Sequence, residues 1–321
     1  MQQICVLFYD KNNMLNDDKI TSKIGKEAHR LGFDDIGISA AIELFDNKKY
    51  FTAWLKGGLQ AGMKFMEKNI EKRVNPALLV DECLSVITVI KNYYPKNSKL
   101  STQIPKISRF AYGNDYHSVM KNKMEQLFSF IKTELYPNLK GRCFVDSAPI
   151  LERALGVRAG LGWIGKNGML INRNLGSYFF MGELLLNVKL PFNKNEEKNR
   201  CGKCNLCIDS CPVGAINQNK TIDSNKCISY HTIENKGIIP KKIIQKQNGW
   251  IFGCDICQEV CPWNKKAKST EETEFQPSEL LKNMTKEDWQ NLTQEKFDNL
   301  FKHSTINRTG FLKIKRNIDA G

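Results

Sequence analysis

The pattern of apolar and polar residues predicts alternating helices and strands over residues 1–192. Apolar positions recur at helical spacing in four segments, 17–31, 53–66, 115–135 and 150–157. Short β-branched or apolar runs predict strands at 35–38, 85–90, 143–146 and 178–190. The run at 85–90 is apolar enough to be a strand buried on both faces. This order of elements indicates a layered α/β (α+β) domain with a parallel sheet. Asp17 and Asp18 are candidate caps of the first helix.

A wholly polar stretch, Asn193–Arg200, separates this domain from a cysteine-rich module. We place a domain boundary there because such stretches rarely contribute to a core. The segment from Lys265 onward is polar and is predicted to form a short helical tail. The predicted parts are therefore 1–192, 193–268 and 269–321.

Composition and charge narrow the class of protein. The 321 residues are 41% hydrophobic and 26% charged, which excludes general disorder. The net charge of +14 favours a polyanionic partner, although basic proteins without such a partner also exist. No apolar run approaches the roughly 18 residues of a membrane span, and the apolar stretch at 4–9 lacks the features of a signal peptide. We therefore expect a cytoplasmic protein with no membrane partner.

Eight of the eleven cysteines lie in the module, which indicates metal ligation in a reducing compartment. The first four follow the spacing Cys201-x2-Cys204-x2-Cys207-x3-Cys211-Pro, which is that of bacterial ferredoxins. In such ferredoxins the fourth cysteine binds the other [4Fe-4S] cluster. The second group contains Cys227, Cys254, Cys257 and Cys261.

The crossover rule assigns the cysteines to two [4Fe-4S] clusters. One set is Cys201, Cys204, Cys207 and Cys261, and the other is Cys211, Cys227, Cys254 and Cys257. Two four-thiolate zinc sites are the alternative, although such sites normally use two separated C-x2-C pairs. We interpret Cys5, Cys83 and Cys143 as small buried hydrophobes. Two clusters in one module imply electron transfer to a site elsewhere in the chain.

Three segments outside the module resemble epoxyqueuosine reductases. They read SRFAYGNDYH at 108–117, VDSAPILER at 145–153 and AGLGWIGKN at 159–167. With the cysteine groups, they occur in the family's order through almost the whole chain. The resemblance implies a cobalamin-dependent iron-sulfur reductase, related in architecture to reductive dehalogenases. Such an enzyme reduces the epoxide of epoxyqueuosine at the tRNA wobble position to queuosine, the last step of queuosine biosynthesis.

The resemblance also implies roles for individual residues. Asp146 matches the family's proton donor, which needs a desolvated setting if it is to be protonated near neutral pH. Phe144, Ala148 and the corrin face are candidates to provide that setting. The alternative for Asp146 is a cap on the helix that begins near Pro149. The family's corrin contacts map onto Arg73, Ser108, Asp146, Leu170, Met181 and Asp255. On sequence alone, Arg73 is equally compatible with a surface ion pair, and Leu170 and Met181 with plain core positions.

Two motifs lack the residues that a stronger assignment would need. The Asp-x-His-x-x-Gly signature of a histidine ligand to cobalt is missing, because His117 is followed by Ser118, Val119 and Met120. We therefore expect base-off cobalamin and interpret His117 as structural. Lys166 follows a glycine-rich loop that lacks the spacing of a phosphate-binding loop, so no nucleotide site is predicted.

The expected partners are a tRNA with epoxyqueuosine in its anticodon and a low-potential electron donor of flavodoxin or ferredoxin type. Basic residues concentrate in and after the module, namely Lys236, Lys241, Lys242, Lys246, Lys265, Lys266, Lys268, Lys313, Lys315 and Arg316. Many family members continue into a helical-repeat domain, so we expect fewer tRNA contacts here, and we expect a monomer. The alternatives are another corrinoid iron-sulfur reductase, dehalogenase-like and acting on a small molecule, and a non-catalytic electron carrier.

Overall fold

The computed structural model describes residues 11–96, 105–192 and 194–320 and contains a four-stranded main sheet. The described strands are β1 (Asp35–Ala40), β2 (Ser85–Asn92), β3 (Lys106–Ile107), β4 (Gly141–Phe144), β5 (Trp163–Ile164), β6 (Leu170–Ile171), β7 (Phe179–Leu186) and β8 (Trp250–Phe252). The strands predicted at 35–38, 85–90 and 178–190 are confirmed. The strand predicted at 143–146 ends at Phe144, so that Asp146 lies in the turn that follows.

Helices pack on the main sheet and recur through the cysteine module and the C-terminal segment. They are α1 (Lys11–Arg30), α2 (Phe45–Lys56), α3 (Ile70–Val74), α4 (Tyr116–Glu134), α5 (Glu152–Arg158), α6 (Leu206–Asp209), α7 (Ile228–Ile233), α8 (Lys241–Ile244), α9 (Ile256–Glu259), α10 (Glu279–Lys282), α11 (Lys286–Gln290), α12 (Gln294–Phe301) and α13 (Phe311–Ala320). Among the described helices, none combines the length and apolar character needed to cross a membrane. The apolar stretch at 4–9, with Cys5, lies outside the described residues.

The main sheet is antiparallel, so the prediction of a parallel sheet was wrong. Its order is β1-β2-β7-β4, and each neighbouring pair runs antiparallel. The predicted burial of β2 on both faces is confirmed, since all of its residues are buried. Helices cover both faces of this sheet, and that burial removes the polar alternation by which an antiparallel strand is normally recognised.

The two faces of the sheet contribute to different cores. Ile87 and Val89 of β2 pack in the core that α1 and α4 cover. Val86 belongs instead to the core that contains Ala154 and Leu155 of α5. Because successive residues of a strand point to opposite faces, one apolar strand supplies both cores. The face toward α5 carries part of the candidate active site described below, and α4 on the opposite face contributes Tyr116.

Several helix limits differ from the sequence prediction. Helix α1 begins at Lys11, so Asp17 and Asp18 lie within it and are not its caps. The helix predicted at 53–66 was misplaced, because α2 begins at Phe45 and ends at Lys56, where Gly57 and a left-handed Gly58 turn the chain. The start predicted for α4 is confirmed, and the Asp115 side chain caps it by accepting the His117 N–H.

The C-terminal segment is helical, as predicted, and it packs against the cysteine module. Strand β3 pairs in parallel with β8, and Phe252 of β8 shares a core with Trp289, Phe301 and Ile314. Asn317 of α13 is fully buried, and its side-chain Nδ2 donates to the carbonyls of Thr232 and Ile251, each at 2.8 Å. The limits at 192 and 268 stay predictions.

Candidate active site and cluster module

The first predicted ligand set is brought together by the fold. Burial, with negative charge on Cys201, Cys261 and Cys204, raises the pKa of the Cys207 thiol. Burial and the charges on Cys201 and Cys204 likewise raise the pKa of the Cys261 thiol. Cys261, which is distant in sequence, is therefore a spatial neighbour of the first three cysteines.

The second predicted set forms a separate and deeper group. Burial raises the pKa of Cys254 to about 12, and negative charge on Cys227 and Cys211 adds to the shift. The pKa of Cys257 is raised well above its usual value by burial and by the charges on Cys254, Cys227 and Cys211. The structure thus brings together the same two sets of four thiols that the crossover spacing pairs.

Main-chain N–H groups surround several of these sulfurs. The Ala215 N–H donates to Cys211 Sγ at 3.3 Å. Main-chain hydrogen bonds also lower the pKa of Cys227, Cys254 and Cys261 against the effect of burial. Such bonds favour the thiolate, the form that binds metal, and tune cluster potentials. In the parts of the chain that are described, no three His, Cys, Asp or Glu side chains converge on a single-ion site.

Asp146 lies just beyond β4 in a left-handed backbone conformation, with φ of +46°. This conformation costs an ordinary L-residue roughly 1–2 kcal/mol, although Asp adopts it more readily than most. The Asp146 N–H donates to Glu152 Oε1 at 2.8 Å, and Asp146 Oδ2 accepts from the Tyr116 hydroxyl at 2.7 Å. Two side chains from different helices therefore hold this residue in place.

The capping alternative for Asp146 was wrong, because α5 begins at Glu152 with Leu151 at the cap position. The Asp146 side chain is 64% exposed, and Phe144 and Ala148 pack in the core beneath the turn, so these two residues do not enclose it. Desolvation by the corrin face stays a prediction. The carboxyl faces outward, where a bound substrate can reach it.

Tyr116 is a buried phenol that presents its hydroxyl to Asp146. Its ring stacks on Phe180 with centroids 4.1 Å apart. Burial, reinforced by the negative charge on Asp146, raises the pKa of Tyr116 well above its usual value. Tyr116 therefore stays protonated and serves as a hydrogen-bond donor.

His117 links the C-terminal segment to the same carboxyl. Its Nε2 lies 3.9 Å from Asp146 Oδ2, and its Nδ1 lies 2.6 Å from Asp115 Oδ1. Arg308 donates from Nε to Asp115 Oδ2 at 2.9 Å and lies 3.3 Å from His117 Nε2. His117 thus has structural contacts, as predicted, and also borders the candidate site.

Glu152 and Glu183 form a buried carboxyl pair behind Asp146. Glu183 is fully buried on β7 and pairs in register with Phe144. Burial raises its pKa well above the usual value, and the charge on Glu152 adds to the shift. Burial and the charge on Asp146 raise the pKa of Glu152 to about 7. Two carboxyls in this contact do not both ionise, so they share a proton near neutral pH.

Arg73 is buried on α3 and does not form the surface ion pair of the alternative interpretation. One guanidinium nitrogen donates to the Phe65 carbonyl at 3.2 Å, and the group lies 5.9 Å from the centre of the Phe51 ring. Burial lowers its pKa. Its Nε is buried without a hydrogen-bond partner in the described structure, which leaves a donor for a further group.

Leu170 and Met181 meet on the face of the sheet that α5 covers. Both belong to one small apolar cluster, in which Leu170 is buried and Met181 is partly buried. A Cβ built on Gly156 would approach a Leu170 methyl to 2.6 Å and the Met181 methyl to 2.8 Å. The glycine therefore permits α5 to lie against these two side chains.

Ser108 and Asp255 are also brought together, between β3 and the second thiol group. The Ser108 hydroxyl hydrogen-bonds the Asp255 carboxylate, which also accepts the Arg109 N–H at 2.8 Å and its guanidinium at 3.2 Å. Both residues are buried, and burial raises the pKa of Asp255 despite the neighbouring Arg109. These partners make Asp255 a structural link as well as a predicted corrin contact.

Some predicted RNA-binding residues instead hold the C-terminal helix. Lys313 donates to the Ile233 carbonyl at 2.6 Å. Arg316 donates to the carbonyls of His231 and Asn235, each at 2.9 Å, and to that of Gly237. Both side chains are committed to internal contacts, so the RNA-facing charge is smaller than the sequence implied.

The sequence analysis missed Tyr116, Glu152, Glu183 and Arg308 as members of the candidate site. Glu152 lies within the 145–153 motif, which was a usable signal. Glu183 was recognisable as an acidic residue inside the apolar run at 178–190. Nothing in the sequence pattern connects Arg308 with Asp115, because the contact joins residues 193 positions apart.

Comparison with known proteins identifies both halves of the chain. A family model described as 4Fe-4S double cluster binding domain matches residues 200–264, which favours iron-sulfur clusters over zinc. A second model, Epoxyqueuosine reductase QueG, DUF1730, matches residues 73–147. The epoxyqueuosine reductase of Cellulophaga algicola is 43% identical over 95% of this chain and 99% of its own length.

Solved structures agree with the sequence relatives. An epoxyqueuosine reductase bound to an epoxyqueuosine-modified tRNA-Tyr stem loop superposes with a TM-score of 0.85 at 27% identity, covering 95% of this chain and 81% of that one. The Bacillus subtilis enzyme, with its aspartate catalytic loop swung out of the active site, gives 0.87 at 26% identity and the same coverage. The chain belongs to the epoxyqueuosine reductase family and is an oxidoreductase with a 4Fe-4S module.

Proposed function

We propose that this chain reduces the epoxide of epoxyqueuosine at the wobble position of tRNA, giving queuosine. Removal of the epoxide oxygen consumes two electrons and two protons and releases water. The observation that carries the proposal is the presence in one chain of two four-thiol groups and an exposed, doubly held carboxyl at Asp146. The first suits electron transfer, and the second suits proton transfer to oxygen.

Asp146 is the proposed proton donor to the oxygen freed by ring opening. Its exposure allows contact with a bound nucleoside, and the Tyr116 hydroxyl holds Oδ2, so that Oδ1 is the oxygen left to face the substrate. The aspartate loop of the Bacillus subtilis relative is swung out of the active site, and we take the Asp146 turn as the counterpart of that loop in its closed position.

The two thiol sets are the proposed ligands of two [4Fe-4S] clusters. The donor chemistry fits, because four soft thiolates with main-chain N–H donors nearby are the usual environment of such clusters. Burial without a cation makes these thiolates unfavourable, and the positive charge of iron would remove that cost. The first set is Cys201, Cys204, Cys207 and Cys261; the second is Cys211, Cys227, Cys254 and Cys257.

Cobalamin is the proposed site of epoxide reduction, and the residues present fit it in part. Arg73 has a free buried donor suited to a corrin amide or phosphate, and Leu170 and Met181 offer an apolar surface. Ser108 and Asp255 are the remaining proposed contacts and lie next to the second thiol group. When bound, base-off cobalamin would supply a low-potential metal centre for reduction of the epoxide.

The proposed partners are an epoxyqueuosine-containing tRNA and a low-potential flavodoxin or ferredoxin. The stem-loop complex of a 27% identical relative supports the first. We propose a cytoplasmic monomer that acts without a membrane. We divide it into a cobalamin-binding part at 1–192, a ferredoxin-like part at 193–268 and a helical extension at 269–321.

Mass spectrometry of wobble nucleosides tests this function. Under anaerobic conditions, the full chain loaded with both clusters and cobalamin should convert epoxyqueuosine in a tRNA stem loop to queuosine. Asp146→Asn should slow conversion by about 10²-fold or more, since general-acid catalysis contributes on that order. Iron content and bound cobalamin should not change. Asp298→Asn, at an exposed position on α12, is the matched control. Full activity of Asp146→Asn would remove Asp146 from the mechanism.

A further inference from the structure

The Glu152 side chain holds the turn that carries Asp146 through one hydrogen bond, which we call the tie. The Asp146 main-chain N–H donates to Glu152 Oε1 at 2.8 Å, and Glu152 is the first residue of α5. The turn passes through a left-handed residue, so its geometry depends on such a tie rather than on strand or helix hydrogen bonds. Loss of the tie would release both the strained backbone and the carboxyl that it presents.

The partner that holds Glu152 lies on the opposite side, in the sheet. Glu183 projects from β7 on the face toward α5, and no water reaches it, since it is fully buried. Glu183 meets the Glu152 carboxyl, and neither Glu183 oxygen accepts a hydrogen bond from any other described donor. That contact requires a proton between the two groups.

We propose that Glu152 is a positioning residue that fixes the Asp146 turn in its closed position, and that the proton shared with Glu183 fixes Glu152 in turn. This inference rests on the proposed role of Asp146 as proton donor. In this inference, two carboxyls that do not contact the substrate hold the Asp146 carboxyl, which does. Tyr116 holds the Asp146 side chain, whereas the carboxyl pair holds its main chain.

The arrangement gives the closed turn a pH dependence. The charged or titratable groups around Glu152 are Asp146 on the turn, Arg153 on α5, Glu183 on β7 and Tyr116 on α4. Because the pKa of Glu152 is raised to about 7, it becomes charged as pH rises through that value and accepts more strongly from the Asp146 N–H. Protection of this amide should therefore increase across the same range.

Hydrogen–deuterium exchange of the full chain, loaded with clusters and cobalamin, measures the tie directly. In Glu152→Ala the peptide over 144–151 should exchange at least tenfold faster, while peptides from β7 and α4 keep their rates. Glu152→Gln retains an acceptor oxygen and should remain within about threefold of the parent. Glu183→Gln should abolish the change of protection near pH 7. Glu125→Ala, an exposed position on α4, is the control.

Turnover gives the second readout. Glu152→Ala should lower kcat by about 10- to 100-fold, the usual cost of misplacing a catalytic group by about 1 Å, with KM for the RNA little changed. The inference is overturned if Glu152→Ala exchanges and turns over like the parent, or if Glu152→Gln is as impaired as Glu152→Ala. Should Glu152→Ala unfold, the glutamine variants alone decide. If the parent protein shows this exchange pattern but does not reduce the epoxide, the proposed function is refuted, whereas the role of Glu152 in holding the turn is retained.

Discussion

The cluster module and the Asp146 site both concentrate groups that carry like charge, but they relieve the repulsion by different means. The thiols of Cys254 and Cys257 lie among other thiols, and bound metal is needed to stabilise their negative charge. The carboxyls of Glu152 and Glu183 are buried against each other, and a shared proton is sufficient. One region is therefore controlled by metal loading and the other by pH.

The two regions also differ in how they are assembled. The thiols sit on short helices and turns at fixed spacing, so local sequence determines most of their arrangement. The groups around Asp146 come from α4, α5, β7 and the C-terminal segment, so their arrangement depends on the whole fold. Substitutions in the cluster module should change metal content, whereas substitutions around Asp146 should change the position and the protonation of the carboxyls.

The largest expected effect is the loss of a cluster thiol. Cys257→Ser should reduce iron by about half and lower epoxide reduction by 10²-fold or more, because a hydroxyl is a poor ligand for iron-sulfur clusters. Iron analysis with anaerobic turnover measures both. Cys143→Ser, at a half-buried thiol outside both sets, should keep full iron. Full iron in Cys257→Ser would contradict the assignment of this thiol.

An intermediate effect is expected on stability as the pH changes. The folded pKa of Glu152 is about 7 and that of Glu183 lies well above the ordinary value near 4.5, so both carboxyls stabilise the fold fully below pH 4.5. The contribution of Glu152 is lost as the pH rises through about 7, and that of Glu183 falls in the same direction. The free energy of unfolding should fall by a few kcal/mol between pH 5 and 8, at about 1.4 kcal/mol per pKa unit. Urea unfolding followed by circular dichroism measures this.

Glu183→Gln should flatten that pH dependence, because an amide donates to Glu152 without titrating. Glu125→Gln on exposed α4 is the matched control and should leave the slope unchanged. Equal slopes in all three proteins would show that the carboxyl pair shares no proton.

The smallest effect is expected for Arg308→Ala. The Arg308 side chain is 56% exposed, so its ion pair with Asp115 contributes at most about 1 kcal/mol. Loosening of Asp115 and His117 should lower kcat by about two- to fivefold, which steady-state assays resolve. Lys302→Ala, at an exposed residue that lines one cavity together with Asp115 and Arg308, should have no such effect. Equal rates for both variants would show that the contact between Arg308 and Asp115 does not affect turnover.

The same contrast explains which features the sequence could predict. Cysteine spacing is a local signal, so the two thiol sets could be paired before the fold was known. Tyr116 and Asp146 are 30 residues apart, and their contact depends on α4 lying against β7. Asp146 was found only through a family motif, and its exposure and its two anchors followed from packing that no periodicity encodes.

The fold shows a similar limit. The strand β2 was recognised because its residues are apolar throughout, yet that property reports burial and not strand direction. Strand direction is set by the chain connections, and the segment between β1 and β2 returns the chain antiparallel. The helices were placed more accurately where a polar residue such as Asp115 capped the first turn.

The buried side chain of Asn317 links helix α13 to the second thiol set. It satisfies the carbonyls of Thr232 and Ile251, and both residues lie between Cys227 and Cys254 in the chain. Removal of α13 would leave these two carbonyls without that donor. Proteolytic loss of this one helix should therefore loosen the segment between the two cysteines and release metal from the second set.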